Sequence, residues 1–149
     1  MIDLIRTDST NPGFVHLVHF LDAELAERDG SENAFYAQYN KIDAIRHVVL
    51  VYNNATPVGC GALKEYAPGV MEVKRMYTLP THRGKGIASL ILKELEKWAS
   101  GMNYTKCILE TGKRQPEAIA LYQKNGYSLI PNFGQYQGVE NSVCFEKIV

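Results

Sequence analysis

The chain has 149 residues, of which 46% are apolar, and its 16 Lys and Arg residues balance its 16 Asp and Glu residues. This length suits one domain with a sizeable core, and we expect a single domain over residues 1–149. The balanced charge argues against a bulk nucleic-acid partner, and no apolar run is long enough to cross a membrane. Residues 1–6 are not typical of a secretory signal, and the three cysteines are far apart in the sequence. We therefore expect a cytoplasmic protein with buried, reduced thiols.

The first half of the chain predicts a strand, two helices and three further strands. Residues 2–7 have the pattern of the first strand. Asn11 before Pro12 is typical of a helix start, with Asn as the cap, and this helix should end near Gly30. A second, short helix is expected over residues 31–36. Turn residues separate three strand patterns that should form an antiparallel meander, over residues 47–52, 58–65 and 70–78.

The second half predicts alternating helices and strands. An amphipathic helix over about residues 84–100 places its apolar side chains on one face, and Gly101 is expected to end it. The remaining elements are a strand, a helix and two strands, over residues 104–111, 116–125, 127–130 and 142–148. The full order, βααβββαβαββ, predicts a mixed α/β fold with a central sheet of about seven strands and about four helices.

A basic, glycine-containing turn lies between the strand at 70–78 and the amphipathic helix. It reads Arg83-Gly84-Lys85-Gly86-Ile87-Ala88. Two glycines let the backbone pass close to a ligand, and the amides and dipole of the helix start favour an anion. The turn matches neither the P-loop nor the dinucleotide fingerprint. We interpret it as an anion site suited to a pyrophosphate; the alternative is a helix cap with solvated charges.

A second motif gives the turn a context. Arg83-x-x-Gly86-x-Ala88 is followed about thirty residues later by Pro116-Glu-Ala-Ile-Ala-Leu-Tyr122 and then by Lys124-Asn-Gly-Tyr127. The two motifs in this order resemble the GCN5-related N-acetyltransferase (GNAT) superfamily. The C-terminal runs at 132–136 and 142–147 are similar to those of its bacterial small-molecule-type branch. The resemblance covers roughly residues 59–127. One departure is Gln115, which stands where the family often has Asn.

The resemblance implies acetyl-coenzyme A as co-substrate, with no metal. In the family the strand at 70–78 holds the pantetheine arm through backbone groups, and the glycine turn holds the pyrophosphate. The implied donor-binding residues are Met76, Tyr77, Thr78, Arg83, Gly84, Lys85, Gly86, Ile87, Ala88, Gln115, Ala118 and Tyr122.

The resemblance also implies two catalytic residues. Tyr122 occupies the position of the general acid that protonates the leaving thiolate, although a helix Tyr is more often a packing residue. Glu72 lies at the offset before Arg83 where the histone-type members carry their base. Its alternatives are an exposed strand Glu paired with Lys74, or a water chain. Lesser candidates for the base are Glu65 and Glu110.

The acceptor pocket is expected between residues 10–40 and the loop at 131–141. Candidate aromatic walls are Phe35, Tyr36, Tyr39, Phe133 and Tyr136, and candidate carboxylate-binding cations are Lys74, Arg75 and Arg114. His16 and His19 have a spacing that metal ligands can use, but the sequence offers no third ligand nearby, so no metal is expected.

The resemblance implies an acetyl-coenzyme A-dependent N-acetyltransferase that moves an acetyl group to a primary amine of a small molecule. Transfer is expected to be direct, within a ternary complex, because no cysteine adjoins the donor motif with a general base. Two alternatives stay open: a protein or peptide N-acetyltransferase, and a non-catalytic acyl-coenzyme A sensor. Family precedent makes a homodimer plausible.

Overall fold

The computed structural model describes residues 1–30 and 45–149. The helix predicted over 31–36 lies outside these residues, as do the candidate walls Phe35, Tyr36 and Tyr39. The seven strands are β1 (Ile2–Thr7), β2 (His47–Asn53), β3 (Thr56–Ala67), β4 (Val70–Thr78), β5 (Lys106–Gly112), β6 (Ser128–Ile130) and β7 (Ser142–Ile148). Three helices are described, α1 (Pro12–Asp29), α2 (Ile87–Gly101) and α3 (Pro116–Lys124), with 3-10 turns at Pro80–His82 and Gly134–Tyr136.

The strands form one mixed sheet in the order β1-β2-β3-β4-β5-β7-β6. β1 to β4 are antiparallel neighbours, which confirms the predicted meander. β4 and β5 are parallel, and β7 returns antiparallel between β5 and β6. The mixed α/β fold predicted from the sequence is therefore confirmed.

The helix starts show where local sequence rules succeeded and where they failed. Asn11 caps α1 as predicted, because its side-chain oxygen accepts the Gly13 N–H at 2.8 Å. The amphipathic helix after the glycine turn was predicted to start at about residue 84, which is three residues too early. α2 begins at Ile87, since Gly86 has a left-handed φ of 82° and stands outside the helix. Gly101 is the last helical residue rather than the stop, and the left-handed position past the end is taken by Asn103.

The helices cover both faces of the sheet. On one face, Phe14 and Leu17 of α1 join the cluster of Val48 and Leu50 from β2. On the other face, α2 and α3 pack against the alternate residues of the same strands, with Ile91, Leu95, Val49, Val51 and Tyr122 in one cluster. The opposite faces of β2 thus carry separate cores, as a two-sided sheet requires.

The sheet splits between its central parallel strands. β4 and β5 pair only from Val70 to Glu72, opposite Lys106 to Ile108, and no pairing continues beyond Glu72. β5 instead keeps its full pairing with β7. The second half of β4 therefore has one edge, facing β5, without a strand partner.

A β-bulge alters β4 at the same place. Cys60 faces Tyr77 and Ala62 faces Lys74, so Gly61 stands opposite two residues, Arg75 and Met76. Arg75 takes a positive φ of 59°, which is uncommon for a residue other than glycine. The bulge changes which side chains of β4 point to which face.

Among the described residues, no helix is both long and apolar enough to cross a membrane. The three cysteines are buried and unpaired, as expected.

Candidate active site

The larger of two adjoining cavities lies between α1, the end of β4, the glycine turn and α3. Its volume is about 330 Å³. It is lined by all the implied donor-binding residues except Lys85, namely Met76, Tyr77, Thr78, Arg83, Gly84, Gly86, Ile87, Ala88, Gln115, Ala118 and Tyr122. We call it the donor cavity. The Lys85 side chain is exposed and is not part of its wall.

The glycine turn presents unclaimed amides to this cavity. Gly84 and Gly86 both have positive φ, 77° and 82°, and α2 has no side-chain cap. Within the described part of the chain, no backbone amide of residues 84–89 donates a hydrogen bond, whereas Leu90 donates to the Gly86 carbonyl. Amides without an acceptor and the positive end of a helix dipole are the groups that favour an anion.

The Arg83 side chain is already engaged. Its Nε donates to the Thr78 carbonyl at 2.8 Å, and Nη1 and Nη2 donate to the two carboxylate oxygens of Glu24 at 3.2 and 2.8 Å. Its guanidinium also lies over the Tyr77 ring, 5.4 Å from the centroid. Arg83 therefore lines the donor cavity while each of its three guanidinium nitrogens donates to a protein acceptor.

Sequence reasoning did not find the ion pairs that join the two sides of the donor cavity. Glu24 of α1 accepts from Arg83 and also pairs with Arg28, and Arg28 pairs with Glu117 of α3. The i,i+4 spacing of Glu24 and Arg28 predicts a pair along α1. Nothing in the sequence indicates that this pair connects the glycine turn to α3.

A smaller cavity, of about 110 Å³, adjoins the donor cavity. We call it the acceptor cavity. It shares Leu21, Leu25, Met76, Gln115, Ala118 and Tyr122 with the donor cavity and is otherwise lined by Glu72, Val73, Lys74, Arg75, Glu110, Thr111, Gly112 and Tyr136. The two spaces meet where the sheet splits, at Met76 on β4 and Tyr122 on α3.

Tyr122 is almost fully buried yet borders both cavities. Its ring packs edge-on against Tyr127 and is tilted against Phe145, with centroid distances of 5.9 and 6.3 Å. Among the described residues, none hydrogen-bonds its hydroxyl. Burial, and then the charge of Glu110, raise the pKa of the phenol above its usual range. Tyr122 is thus a protonated donor at neutral pH.

Glu72 is buried at the wall of the acceptor cavity, at the last β4 position that pairs with β5. Among the described residues, Glu72 pairs with Lys74, whose Nζ lies 3.5 Å from Oε2, so the pairing considered from the sequence is present but long. Burial raises the pKa of Glu72, and the neighbouring Lys74 opposes that shift. A carboxylate with a raised pKa suits a general base.

A second carboxylate faces the acceptor cavity from β5. Glu110 Oε2 accepts a hydrogen bond from the Ser142 hydroxyl at 2.8 Å. Tyr136, from the loop at 131–141, lines the cavity, and its pKa is raised by burial and by the nearby charges of Glu110 and Glu72. The loop expected to form part of the acceptor pocket therefore contributes Tyr136 to the wall of this cavity.

Other candidates lie elsewhere. Glu65 is exposed and accepts from the Tyr104 hydroxyl at 2.6 Å. Phe133 contacts Tyr66 and Tyr136 behind the cavity wall, and Arg114 is not among the lining residues. In the described ranges 1–30 and 45–149, no group of three or more potential metal ligands occurs.

Comparisons with known proteins show which family this chain is similar to. The model of the acetyltransferase (GNAT) family matches residues 14–127. A curated relative from Azospirillum brasilense, named IAA acetyltransferase, is 32% identical over 98% of this chain and 97% of its own length. A crystal structure from Klebsiella pneumoniae, described as an acyl-CoA N-acyltransferase, is 31% identical with a TM-score of 0.82, covering 99% of this chain and 97% of that one.

A more distant structure shares the fold alone. It is PaiA N-acetyltransferase from Thermoplasma acidophilum in complex with coenzyme A, with 17% identity and a TM-score of 0.72 over 100% of this chain and 99% of that one. The family match over most of the chain, together with a relative aligned along its full length, shows that this protein belongs to the GNAT family and is an acyl-coenzyme A-dependent N-acetyltransferase.

Proposed function

We propose that this enzyme transfers the acetyl group of acetyl-coenzyme A directly to a primary amine of a small molecule. Tyr122 acts as the general acid and Glu72 as the general base. The observation that carries the proposal is the meeting of the donor and acceptor cavities at the split between β4 and β5. The proposal treats residues 1–149 as one N-acetyltransferase domain acting in the cytoplasm.

The donor cavity has the groups that coenzyme A requires. The free amides of residues 84–89 suit the pyrophosphate, since backbone N–H groups at a helix start bind phosphate oxygens. The open edge of β4 after Glu72 suits the pantetheine arm, whose amides can pair with an unpaired strand edge. Because these groups belong to the backbone, coenzyme A can bind them while Arg83 keeps its hydrogen bonds to Glu24 and Thr78.

The chemistry of transfer moves the acetyl group and three protons. The thioester supplies the acetyl group, whose bond to sulfur breaks as its bond to the acceptor nitrogen forms. Glu72 takes one proton from the acceptor ammonium so that the nitrogen lone pair can attack, and passes it to solvent. Tyr122 gives a proton to the departing sulfur, and the second proton that the nitrogen loses on becoming an amide restores the Tyr122 phenol. The open edge of β4 near Tyr77 offers a backbone N–H for the developing oxyanion.

The size of the acceptor cavity suits the amine-bearing end of a small acceptor. A cavity of about 150 Å³ holds a benzene ring, and the acceptor cavity has about 110 Å³. Tyr136 forms part of its wall, so the loop at 131–141 narrows the space that an extended peptide would need.

The test is release of free thiol from acetyl-coenzyme A across amino acids, polyamines, aminoglycosides and peptides. Direct transfer predicts initial-rate plots that intersect when both substrates are varied, whereas a covalent relay predicts parallel lines. Saturable turnover with a small amine supports the proposal. A clear preference for peptides would favour a protein acetyltransferase, and tight donor binding without thiol release from any amine would overturn the proposal.

A further inference from the structure

Arg75 lies at the wall of the acceptor cavity, and the transfer chemistry does not explain the burial and hydrogen bonding of its guanidinium. Its side chain is only 2% exposed, and it lines the cavity wall. Its Nη1 donates to Asp22 of α1 at 2.7 Å. Its Nε is buried and has no hydrogen-bond partner among the residues that the structure describes. Buried polar groups in folded proteins are nearly always paired, so an unpaired guanidinium nitrogen beside a cavity points to a missing acceptor.

The geometry of the guanidinium indicates which chemical group would accept its remaining hydrogen bonds. Arginine binds carboxylates through two parallel N–H groups, and the Nε–Nη2 edge is one of the edges that permit this. Asp22 accepts from Nη1 alone, and within the described part of the chain no group accepts a hydrogen bond from the Nε–Nη2 edge. The Asp22 side chain is 53% exposed, so water screens much of its charge while the guanidinium is buried.

The β-bulge explains how Arg75 reaches this position. In a regular strand, Lys74 and Arg75 would point to opposite faces. The bulge instead lets Arg75 reach Asp22 on the α1 face, while Met76 packs with the core on the other face. Two consecutive cations of β4 therefore border one small cavity. Backbone strain of the kind seen at Arg75, with its φ of 59°, is concentrated at functional sites.

The rest of the cavity wall has the complementary charge. Glu72 and Glu110 face the same space from β4 and β5. The lining thus carries two carboxylates and two cations, and its volume of about 110 Å³ suits a group of a few heavy atoms. An ammonium and a carboxylate on one small molecule would satisfy both.

We propose that the acceptor carries a carboxylate as well as its amine, as amino acids do, and that Arg75 binds this carboxylate while Glu72 and Glu110 face the ammonium. This inference rests on the proposed function and adds the class of the acceptor to it. Arg75 is then the residue that determines acceptor specificity.

The experiment compares matched pairs of amines with the intact protein. Each α-amino or ω-amino acid is assayed beside the amine that lacks its carboxylate, and kcat/KM is measured by thiol release. A charged two-point contact predicts that the carboxylated member is preferred by about ten- to a hundredfold. Arg75→Met should remove most of this preference, mainly through KM for the carboxylated amine.

Two control variants separate binding from structure. Asp22→Asn removes the ion pair but keeps the guanidinium, so the preference should persist. Arg46→Met makes the same chemical change at an exposed arginine outside the cavity, and it should also keep the preference. If Arg75→Met does not fold, the wild-type comparison of the paired amines still decides the proposal.

The outcomes distinguish this inference from the proposed function. Equal or better turnover of the carboxylate-free amines, or a preference that survives in Arg75→Met, would overturn the carboxylate site while acetyl transfer stands. Absence of thiol release from every amine would overturn the proposed function. In that case calorimetry of the paired amines with the protein–coenzyme A complex decides: tighter binding of the carboxylated members supports the site, and equal binding overturns it.

Discussion

Arg83 and Glu24 form a bidentate ion pair that joins the glycine turn to α1 beside the donor cavity. The two N–H···O distances are 3.2 and 2.8 Å, and the third donor group of Arg83 holds the Thr78 carbonyl. The residues are 59 positions apart in the chain. A phosphate of coenzyme A that binds the Arg83 side chain has to compete with Glu24. Glu24 should therefore lower the affinity of the protein for coenzyme A.

Glu24→Gln should therefore tighten coenzyme A binding. An exposed or half-exposed ion pair contributes up to about 1 kcal/mol, so the affinity gain should be roughly two- to fivefold. Calorimetry at low salt measures it. Glu27→Gln removes an exposed acid from the same helix and should change affinity less. Unchanged or weaker binding in Glu24→Gln would show that Arg83 does not contribute to phosphate binding.

Tyr122→Phe should lower turnover by about ten- to a thousandfold, the range of lost general-acid catalysis. Stability should hardly change, because no described residue hydrogen-bonds the Tyr122 hydroxyl. The KM for acetyl-coenzyme A should move little, since the proton is given in the transition state. Because the pKa of Tyr122 is raised, its ionisation should not produce a basic limb in the wild-type rate profile below about pH 10.

Tyr127→Phe is the matched control for this change. Tyr127 packs edge-on against Tyr122 but lines neither cavity, and its hydroxyl donates to Glu96 at 3.0 Å. This variant should lose about 1.5–3 kcal/mol of stability and keep its turnover number. Full turnover in Tyr122→Phe would assign the proton to water or to another group.

Glu72→Gln should abolish most turnover at neutral pH and remove the acid limb of the rate profile. Because burial raises the pKa of Glu72, that limb in the wild type should lie above the usual range of a glutamate. A rate profile whose acid limb is the same in both proteins would exclude Glu72 as the base.

The raised pKa of Glu72 also predicts that the stability difference between the wild type and Glu72→Gln depends on pH. With a raised pKa in the folded state, Glu72 holds its proton more tightly there than in the unfolded chain. The stability it contributes is present at low pH and is lost as pH rises through the raised pKa. The free energy of unfolding of the wild type, relative to Glu72→Gln, should therefore fall from about pH 4 to neutrality. Urea unfolding of both proteins across this range measures the difference, and a rising difference would contradict the burial of a charged carboxylate.

Gly86→Val should weaken coenzyme A binding by at least about tenfold, since the turn relies on a left-handed backbone that presents its amides. Valine at a positive φ also costs on the order of 1–2 kcal/mol of stability. Gly138→Val provides the control, because Gly138 has a φ of 76°, has similarly open surroundings and lies outside the donor cavity. Both variants should lose similar stability, and calorimetry should detect lost affinity only in Gly86→Val. Equal affinity in the two folded proteins would contradict a pyrophosphate site at this turn.

Gly61→Ala should destabilise the protein through steric overlap at the bulge. A Cβ there would lie 2.5 Å from the Met76 Sδ and 2.7 Å from the Ile91 Cγ2. Overpacking of this kind costs about 1–3 kcal/mol of stability. Because Met76 borders both cavities, its displacement should also raise the KM values for the two substrates. Gly101→Ala has open space and should lose no stability. Urea unfolding compares the two variants; a stable Gly61→Ala would show that the core beside the bulge can adjust freely.

The elements that the sequence predicted correctly depend on local chemistry. The start of α1 follows from Asn11 and Pro12, and the strands follow from alternation and turn residues. The glycine turn has the expected conformation because Gly84 and Gly86 readily adopt a positive φ. The donor residues implied by the two motifs, apart from Lys85, line one cavity because the fold brings the turn and α3 together.

Only the tertiary structure decided the details that shape the acceptor side. The alternation of β4 predicts a regular strand, but the close packing of Gly61 against its neighbours accompanies a bulge that directs Arg75 towards α1. The pairing of β4 and β5 ends at Glu72, and no local pattern in either strand marks that end. Register and ion pairing between distant segments depend on the whole packed core. The sequence by itself determined the family, the order of elements and the glycine turn, whereas the charged acceptor cavity exists only because residues far apart in the chain meet at the split in the sheet.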